Sequence, residues 1–466
     1  MHLILASTRV DLARGQFATT SLYHFLFVPL TLGLGPIVAI FQTMWHRTGN
    51  ETWLRLTRFF GTLFLINFAI GVATGLVQEF QFGMNWSVYS RFVGTVFGAP
   101  LAIEGLAAFF LESTFLGLWI FGWNRLSPRL HLATLWIAVA GTWMSAYFIL
   151  AANSFMQDPV GYKIENGQAV LTSVWDLLSS DWTLYAFAHT ILAGLTAGSA
   201  VVFGVCCWHF VRQRNVEVFR PAAKVALIVL VPASCVNLWF GSHFGILVEK
   251  LQPMKIAASE AQWSTCSHCA FSVFQIGGFT ESDQTPTYSL DIPGLLSYLA
   301  TGSFSGTVQG LNNLNQQYSR QHGPGNYKPP VRAIYWSMRV MAGVGTVIAL
   351  IAIVSAFLLW RRRIERLRWF LWIAVANSFL PFLATSAGWV LTEVGRQPWI
   401  VQGLLKTSNA NSPNVTTTWL GISLGVFIVL YLALLVVDVW LMRRYAGLDP
   451  VAPDEQAPAP QPAPSF

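Results

Sequence analysis

Long apolar stretches separated by short polar intervals run through nearly the whole chain. Nine of them, at about 20–44, 54–79, 95–122, 131–155, 183–211, 221–243, 332–360, 369–392 and 418–442, are long enough to cross a bilayer as helices. The apolar pattern recurs far beyond the first stretch, so that stretch reads as a span and not as a cleaved leader. The pattern predicts an all-α polytopic membrane protein with about nine transmembrane helices and no short-period repeat. Residues 244–331 interrupt the rhythm with a long polar loop. Its segment Gln252–Glu260 has a helical look, and Gly-, Asn- and Ser-rich stretches follow. The membrane domain covers 1–448. From 449 to 466 the chain turns Pro- and Ala-rich without apolar period, predicting a disordered tail.

The composition, 54% hydrophobic and only 11% charged, agrees with this class. The net charge of +7 is no nucleic-acid footprint, because it sits in clusters between spans. Arg47, Arg55 and Arg58 follow span one, Arg125 and Arg129 span three, Arg212, Arg214, Arg220 and Lys224 span five, and Arg361–Arg363 span seven. The alternate loops carry few cations. By the positive-inside rule the N-terminus is outside, the C-terminus is cytoplasmic, and loop 244–331 is outside.

Five ionisable side chains lie in or at the ends of spans: His24, Glu104, Glu112, His189 and Glu393. Such groups are costly in a bilayer and usually carry function. A lone histidine on an apolar helix is nonetheless more often hydrogen-bonded core than ligand. Met341 offers a thioether, although core filling is its commoner use, and Met338 competes with it. A His/Met pair is a known axial set for a low-spin haem. With the topology above, His24, His189, Met341 and Glu393 all fall in the outer half of the membrane, which points to one redox layer there. Arg339 suits a haem propionate or is otherwise a membrane cation without a stated partner.

Glu104 and Glu112 are eight residues apart, about 12 Å along a regular helix and roughly 80° around it. They suit proton hopping, and Thr142 and Ser145 on span four extend such a path. Trp389 and Glu393 share a helical face at i, i+4, followed by the Arg396-Gln-Pro-Trp399 turn. Lys255 and Glu260 could bind and deprotonate a hydroquinone. On physics alone their segment reads as a solvated amphipathic helix. Cys206, Cys207 and Cys235 lie in spans as small core residues. Cys266 and Cys269 form an outer Cys-Ser-His-Cys that is either a disulfide or two thiols.

Several strings closely resemble subunit I of the cytochrome bd quinol oxidases: Tyr-His24-Phe-Leu-Phe-Val-Pro-Leu-Thr-Leu-Gly, Glu79-Phe-Gln-Phe-Gly-Met-Asn-Trp86, Phe-Gly-Ala-Pro-Leu-Ala-Ile-Glu104-Gly, Phe-Leu-Glu112-Ser-Thr-Phe, Gln-Pro-Met-Lys255, Glu260 and Gly-Arg396-Gln-Pro-Trp. The resemblance covers residues 10–445. It implies two haems b, one low-spin and one high-spin, and one haem d. His189 and Met341 would ligate the low-spin haem, and His24 and Glu393 would serve the high-spin haem b and haem d. Trp389, Arg339 and Arg396 would support the haems. Glu104, Glu112 and Ser145 would form an inward proton path, and Lys255 and Glu260 would belong to the quinol loop. The implied activity is oxidation of quinol (menaquinol or ubiquinol) at the outer face. Oxygen is reduced to water with cytoplasmic protons, and no proton is pumped. A second membrane subunit, with room for a small single-helix one, and a bacterial cytoplasmic membrane are implied as well. At Gly241-Ser242-His243-Phe-Gly245, Ser242 stands where relatives are expected to carry an acid, with His243 as a substitute.

Two other classes compete. A proton-coupled transporter explains Glu104 and Glu112 but not two histidines and a methionine at one depth. A structural membrane subunit explains the spans but none of the buried ionisable groups.

Overall fold

The computed structural model describes residues 2–450. Among them are nine membrane-length helices: Arg9–Thr48, Glu51–Asn85, Gly94–Phe121, Pro128–Gln157, Asp181–Arg212, Val216–Leu251, Val331–Trp360, Arg368–Val394 and Thr417–Ala446. Each expected span is there, and most run several residues further than hydropathy alone indicates. The extra turns stand at the ends, where polar residues are paid for by water or headgroups. Of the expected tail, only Asp449 and Pro450 are seen; 451–466 lie outside the described residues. Pro450 accepts from the Arg55 guanidinium, and Asp449 from Asn215.

Spans one and five form the inner pair. A Cβ on Gly33 would sit 1.9 Å from the Gly194 carbonyl oxygen, and one on Gly198 2.3 Å from the Gly33 carbonyl carbon. Glycine therefore sets a backbone-to-backbone crossing there, the small-residue packing expected where no hydrophobic effect separates protein from lipid. Beyond the crossing, Phe41, Phe60, Phe203, Phe210 and Phe219 fill an aromatic core with no solvent exposure. Spans three, seven and nine keep much of their apolar surface exposed within this chain.

The connections fall into two classes. Those after spans one, three, five and seven are short and basic. Those after spans two, four, six and eight carry the remaining structure, apart from a 3-10 turn at Ile364–Arg366 after span seven. Tyr162–Glu165 pairs with Gln168–Leu171, and Trp399–Val401 with Leu405–Lys406. Loop 244–331 is more ordered than its Gly/Asn/Ser content suggests. After span six comes helix Pro253–Ser259, where the sequence placed a helical patch. A hairpin of Phe271–Gly277 and Pro286–Ile292 follows, then helices Leu295–Thr301 and Leu311–His322. Cys266 and Cys269 form a disulfide, which resolves the two readings of that motif. Cys206 and Cys207 are core residues, and Cys235 is half-buried.

Candidate functional site

The four candidate ligands are joined by a chain of contacts at one level of the bundle. Phe25, next to His24, stacks on Trp389 with ring centroids 4.9 Å apart. Beside Trp389, a Cβ on Gly388 would meet the Met341 sulfur at 2.9 Å. One turn after Met341, Gly345 lies against Leu238 of span six. One turn after Leu238, a Cβ on Gly241 would be 3.2 Å from His189 Cε1. His24, His189, Met341 and Glu393 thus lie on one side of the Gly33–Gly194 crossing. A cavity of about 310 Å³ opens in this layer, lined by Phe17, Ser21, Tyr89, Trp389, Glu393 and Arg396 among others. Trp389 and Glu393 both face it, as their spacing predicted.

Among the described residues no three His, Cys, Asp or Glu side chains converge as a metal cage. Isolated ligands instead suit a macrocycle, which brings its own further donors and needs few from the protein. His24 Nδ1 bonds Thr74 Oγ1 at 2.9 Å, and that hydroxyl donates to the Ile70 carbonyl. Nδ1 must then carry the proton, and Nε2 keeps a free lone pair, the arrangement of a held ligand histidine. Gly75 makes room for the ring, since a Cβ there would be 3.1 Å from Cε1. His189 Nδ1 and the side-chain oxygen of Asn237 are both buried and close enough to interact with each other, and neither has another partner. His131 gives the contrast: both nitrogens are used, by Gln42 and by the Trp119 carbonyl, each at 2.8 Å. That histidine is core, and His24 and His189 are not of its kind. Glu393 accepts from Asn153 at 2.9 Å, from Gln157 at 3.3 Å and from the buried Arg396. Three bonds leave room on a carboxylate with about four lone-pair sites. The residues fit axial haem ligands.

The span-three carboxylates both face span four. Glu104 accepts from Ser145 at 2.6 Å and Glu112 from Thr142 at 2.7 Å. Thr142 and Ser145 are i, i+3, on one helical face. The angle expected from a regular helix needs correcting, because Glu104–Phe109 is a π-helical segment. Its wider turn rotates less per residue and brings the two carboxylates nearer one face. Gly141 allows the close approach: a Cβ there would be 2.9 Å from the Glu112 amide nitrogen. Glu112 is 7% exposed. Glu79 of span two and Glu112 both lie near enough to Glu104 to interact electrostatically. This line of acids and hydroxyls can pass protons along span three.

Lys255 and Glu260 are not on a solvated helix. They are 4% and 6% exposed, because the segment packs on spans six and seven and on helix Leu311–His322, with Gln157 and Gly395 against Lys255. They also point to different partners. Lys255 donates to Gln157 at 2.8 Å and lies 5.0 Å over the Trp182 ring. Burial pushes its ammonium down to about 7, with Glu393 working against that shift. Glu260 pairs with Arg339, Oε2 to Nη2 at 2.7 Å, and Arg339 also donates to the Ser259 and Ser272 carbonyls. Arg339 therefore has the partner that the sequence did not supply. Burial holds the Glu260 carboxyl above its ordinary range, with Arg339 pulling the other way. Ser242 caps back to the Trp239 carbonyl, and exposed His243 leans on Trp239, so neither enters this cluster. Sequence reasoning missed Thr74, Asn153, Gln157 and Asn237 as supports, and Glu79 as a third acid. Only Glu79 carried a signal, as a carboxylate at the end of a span.

The sequence profile described as "Cytochrome bd terminal oxidase subunit I" matches residues 12–450. The chain belongs to that family. It is similar to the cytochrome bd ubiquinol oxidase subunit 1 of Bacillus subtilis (strain 168), at 44% identity over 93% of this chain and 92% of the relative. It is similar to the cytochrome bd-II ubiquinol oxidase subunit 1 of Escherichia coli (strain K12), at 38% identity over 97% and 99%. Among solved structures, the bd oxidase from Geobacillus thermodenitrificans matches 95% of this chain and 99% of that one, with TM-score 0.86 and 28% identity. Membership makes the chain a multi-pass membrane subunit of a respiratory terminal oxidase, carrying haem and working in a complex with other subunits.

Proposed function

We infer that this cytochrome bd subunit oxidises quinol beside loop 244–331 on the outer face and reduces oxygen with protons drawn from the cytoplasm. His189 and Met341 would hold a low-spin haem b. His24 and Glu393 would hold a high-spin haem b and a haem d between them. When bound, these groups supply one-electron carriage and the iron at which oxygen is reduced to water. The observation that supports this reading is the contact chain from His24 through Trp389 and Met341 to His189, with Glu393 one helical turn from Trp389.

Protein groups do the remaining work. Trp389 and Arg396 wall the high-spin region, and Asn153 and Gln157 hold the Glu393 carboxylate in place. Glu112 receives protons from the inner side and hands them on to Glu104, with Thr142 and Ser145 as bonding partners. At the outer end, Glu260 accepts a quinol proton while Lys255 holds the quinol oxygen. Protons are consumed on one side and released on the other, so charge separation requires no pump. The basic short loops support an outer N-terminus, in a bacterial cytoplasmic membrane. A second membrane subunit, with a small single-helix one beside it, would cover exposed faces of spans three and nine. The quinol is ubiquinol or menaquinol.

Glu260→Ala is expected to lower quinol-driven turnover by about 10²-fold, the lower end for losing a positioned proton acceptor, while the haem spectrum stays unchanged. Stopped-flow quinol oxidation checks it, and normal kinetics would move the quinol site elsewhere. Lys255 gives a pH test. Its ammonium, lowered to about 7, is charged below that pH and neutral above it. KM for quinol should therefore rise as pH goes from 6 to 8. In Lys255→Met it should be high and flat across the same range.

A further inference from the structure

The hairpin in loop 244–331 is patterned inside out. Phe274 pairs with Leu290 and Ile276 with Tyr288, and Ile292 continues the same face. These five are 39–57% exposed, while Gln275 on the opposite face is 4% exposed and paired with half-buried Ser289. A water-facing hairpin alternates the other way, apolar in and polar out. The hairpin is also firmly held. Ser272 bonds the Tyr335 hydroxyl at 2.9 Å and gives its carbonyl to Arg339. Phe274 meets Trp336 edge-on at 5.4 Å, and Phe279 lies 5.0 Å from Tyr335.

Trp336 fixes the depth of this face. Residues 336, 340, 343, 347, 350, 354 and 357 follow three- and four-residue steps down one side of span seven. Val347, Leu350, Val354 and Phe357 on that stripe are exposed, which is the surface a span turns to hydrocarbon. Hydrocarbon needs about 20 helical residues, so counting outward from Phe357 reaches the neighbourhood of Trp336. The hairpin face therefore continues the lipid-facing stripe at its outer boundary. One turn further out, Arg332 is exposed and lies 5.9 Å over the Phe279 ring, at the level of lipid phosphates.

We propose that the hairpin Phe271–Ile292 lies in the outer leaflet, with Phe274, Ile276, Tyr288, Leu290 and Ile292 against acyl chains and Arg332 among the headgroups. The Ser272 strand end touches Arg339, the partner of Glu260, so the lipid-immersed face begins one residue pair away from that buried acid. A quinol dissolved in the bilayer would meet the hairpin before the rest of the loop. That last step rests on reading 244–331 as the quinol loop; the lipid contact does not.

The test uses the complete oxidase complex in nanodiscs of phosphatidylethanolamine and phosphatidylglycerol. A polarity-sensitive fluorophore is attached at Ile276→Cys, at Leu290→Cys and, as a tip control, at Ser282→Cys. Nitroxide-labelled lipid is expected to quench the first two several-fold more than iodide does, with the order reversed at 282. Stronger iodide quenching at 276 and 290 would place the face in water and overturn the proposal. Quenching by neither would mean that a partner subunit covers it, which also overturns it. Lipid quenching together with normal kinetics in Glu260→Ala would keep the hairpin in the leaflet and remove only the quinol assignment.

Discussion

Replacing His189 by Ala is expected to remove the low-spin haem b signal and, with it, essentially all quinol-driven oxygen consumption. The ring is buried against Gly241, its Nδ1 has no partner besides nearby Asn237, and Ala cannot offer a lone pair to iron. Met341 alone, a weak thioether donor, would be left on the other side. Oxygen consumption driven by artificial donors that bypass the low-spin haem should survive in part. His131→Ala serves as the control. Its ring is fully hydrogen-bonded to Gln42 and Trp119, so that variant loses about 1–3 kcal/mol of stability and keeps its spectrum. Reduced-minus-oxidised spectra of the two purified variants decide the matter. A full low-spin signal in His189→Ala would overturn the ligand assignment.

The second large effect is expected at Glu112. Gln at this position keeps an acceptor for the Thr142 hydroxyl but cannot release a proton. Oxygen reduction should slow by about 10²-fold or more, as for loss of a positioned proton carrier. Reduction of the haems by quinol should be unchanged, because the outer site is untouched. Glu112→Gln separates proton transfer from packing, since the size and shape of the side chain are kept. Rapid-mixing measurement of the oxygen step checks this. A wild-type rate would take Glu112 off the path.

How much of this was legible in the sequence follows from the physics of each signal. Spans are written plainly, because twenty apolar residues have few alternatives in a bilayer. The buried ionisable residues stood out for the same reason, since each is an exception in an apolar run. The Trp389–Glu393 face could be read from local spacing. What the sequence hid depends on contacts between distant segments. The pairing of Arg339 with Glu260 joins residues 79 apart. Asn153 reaches Glu393 across 240 positions. The burial of Lys255 arises from Gly395 and Gln157 closing over it, which no local pattern announces. The π-helical segment at Glu104 was invisible for another reason: a single wide turn costs little and leaves no residue signature. The hairpin was hidden by its composition, since Gly and Ser suggested loose loop where tertiary contacts fix strands.

The most direct test of the central claim is the reduced-minus-oxidised absorption spectrum of the purified complex, with haem quantified per copy of this chain. The expected result is two haems b and one haem d for each chain, with the low-spin b component lost selectively in His189→Ala. A complex with no haem d band, or one whose b-type signal persists unchanged without His189, would contradict the placement of the redox layer on these residues.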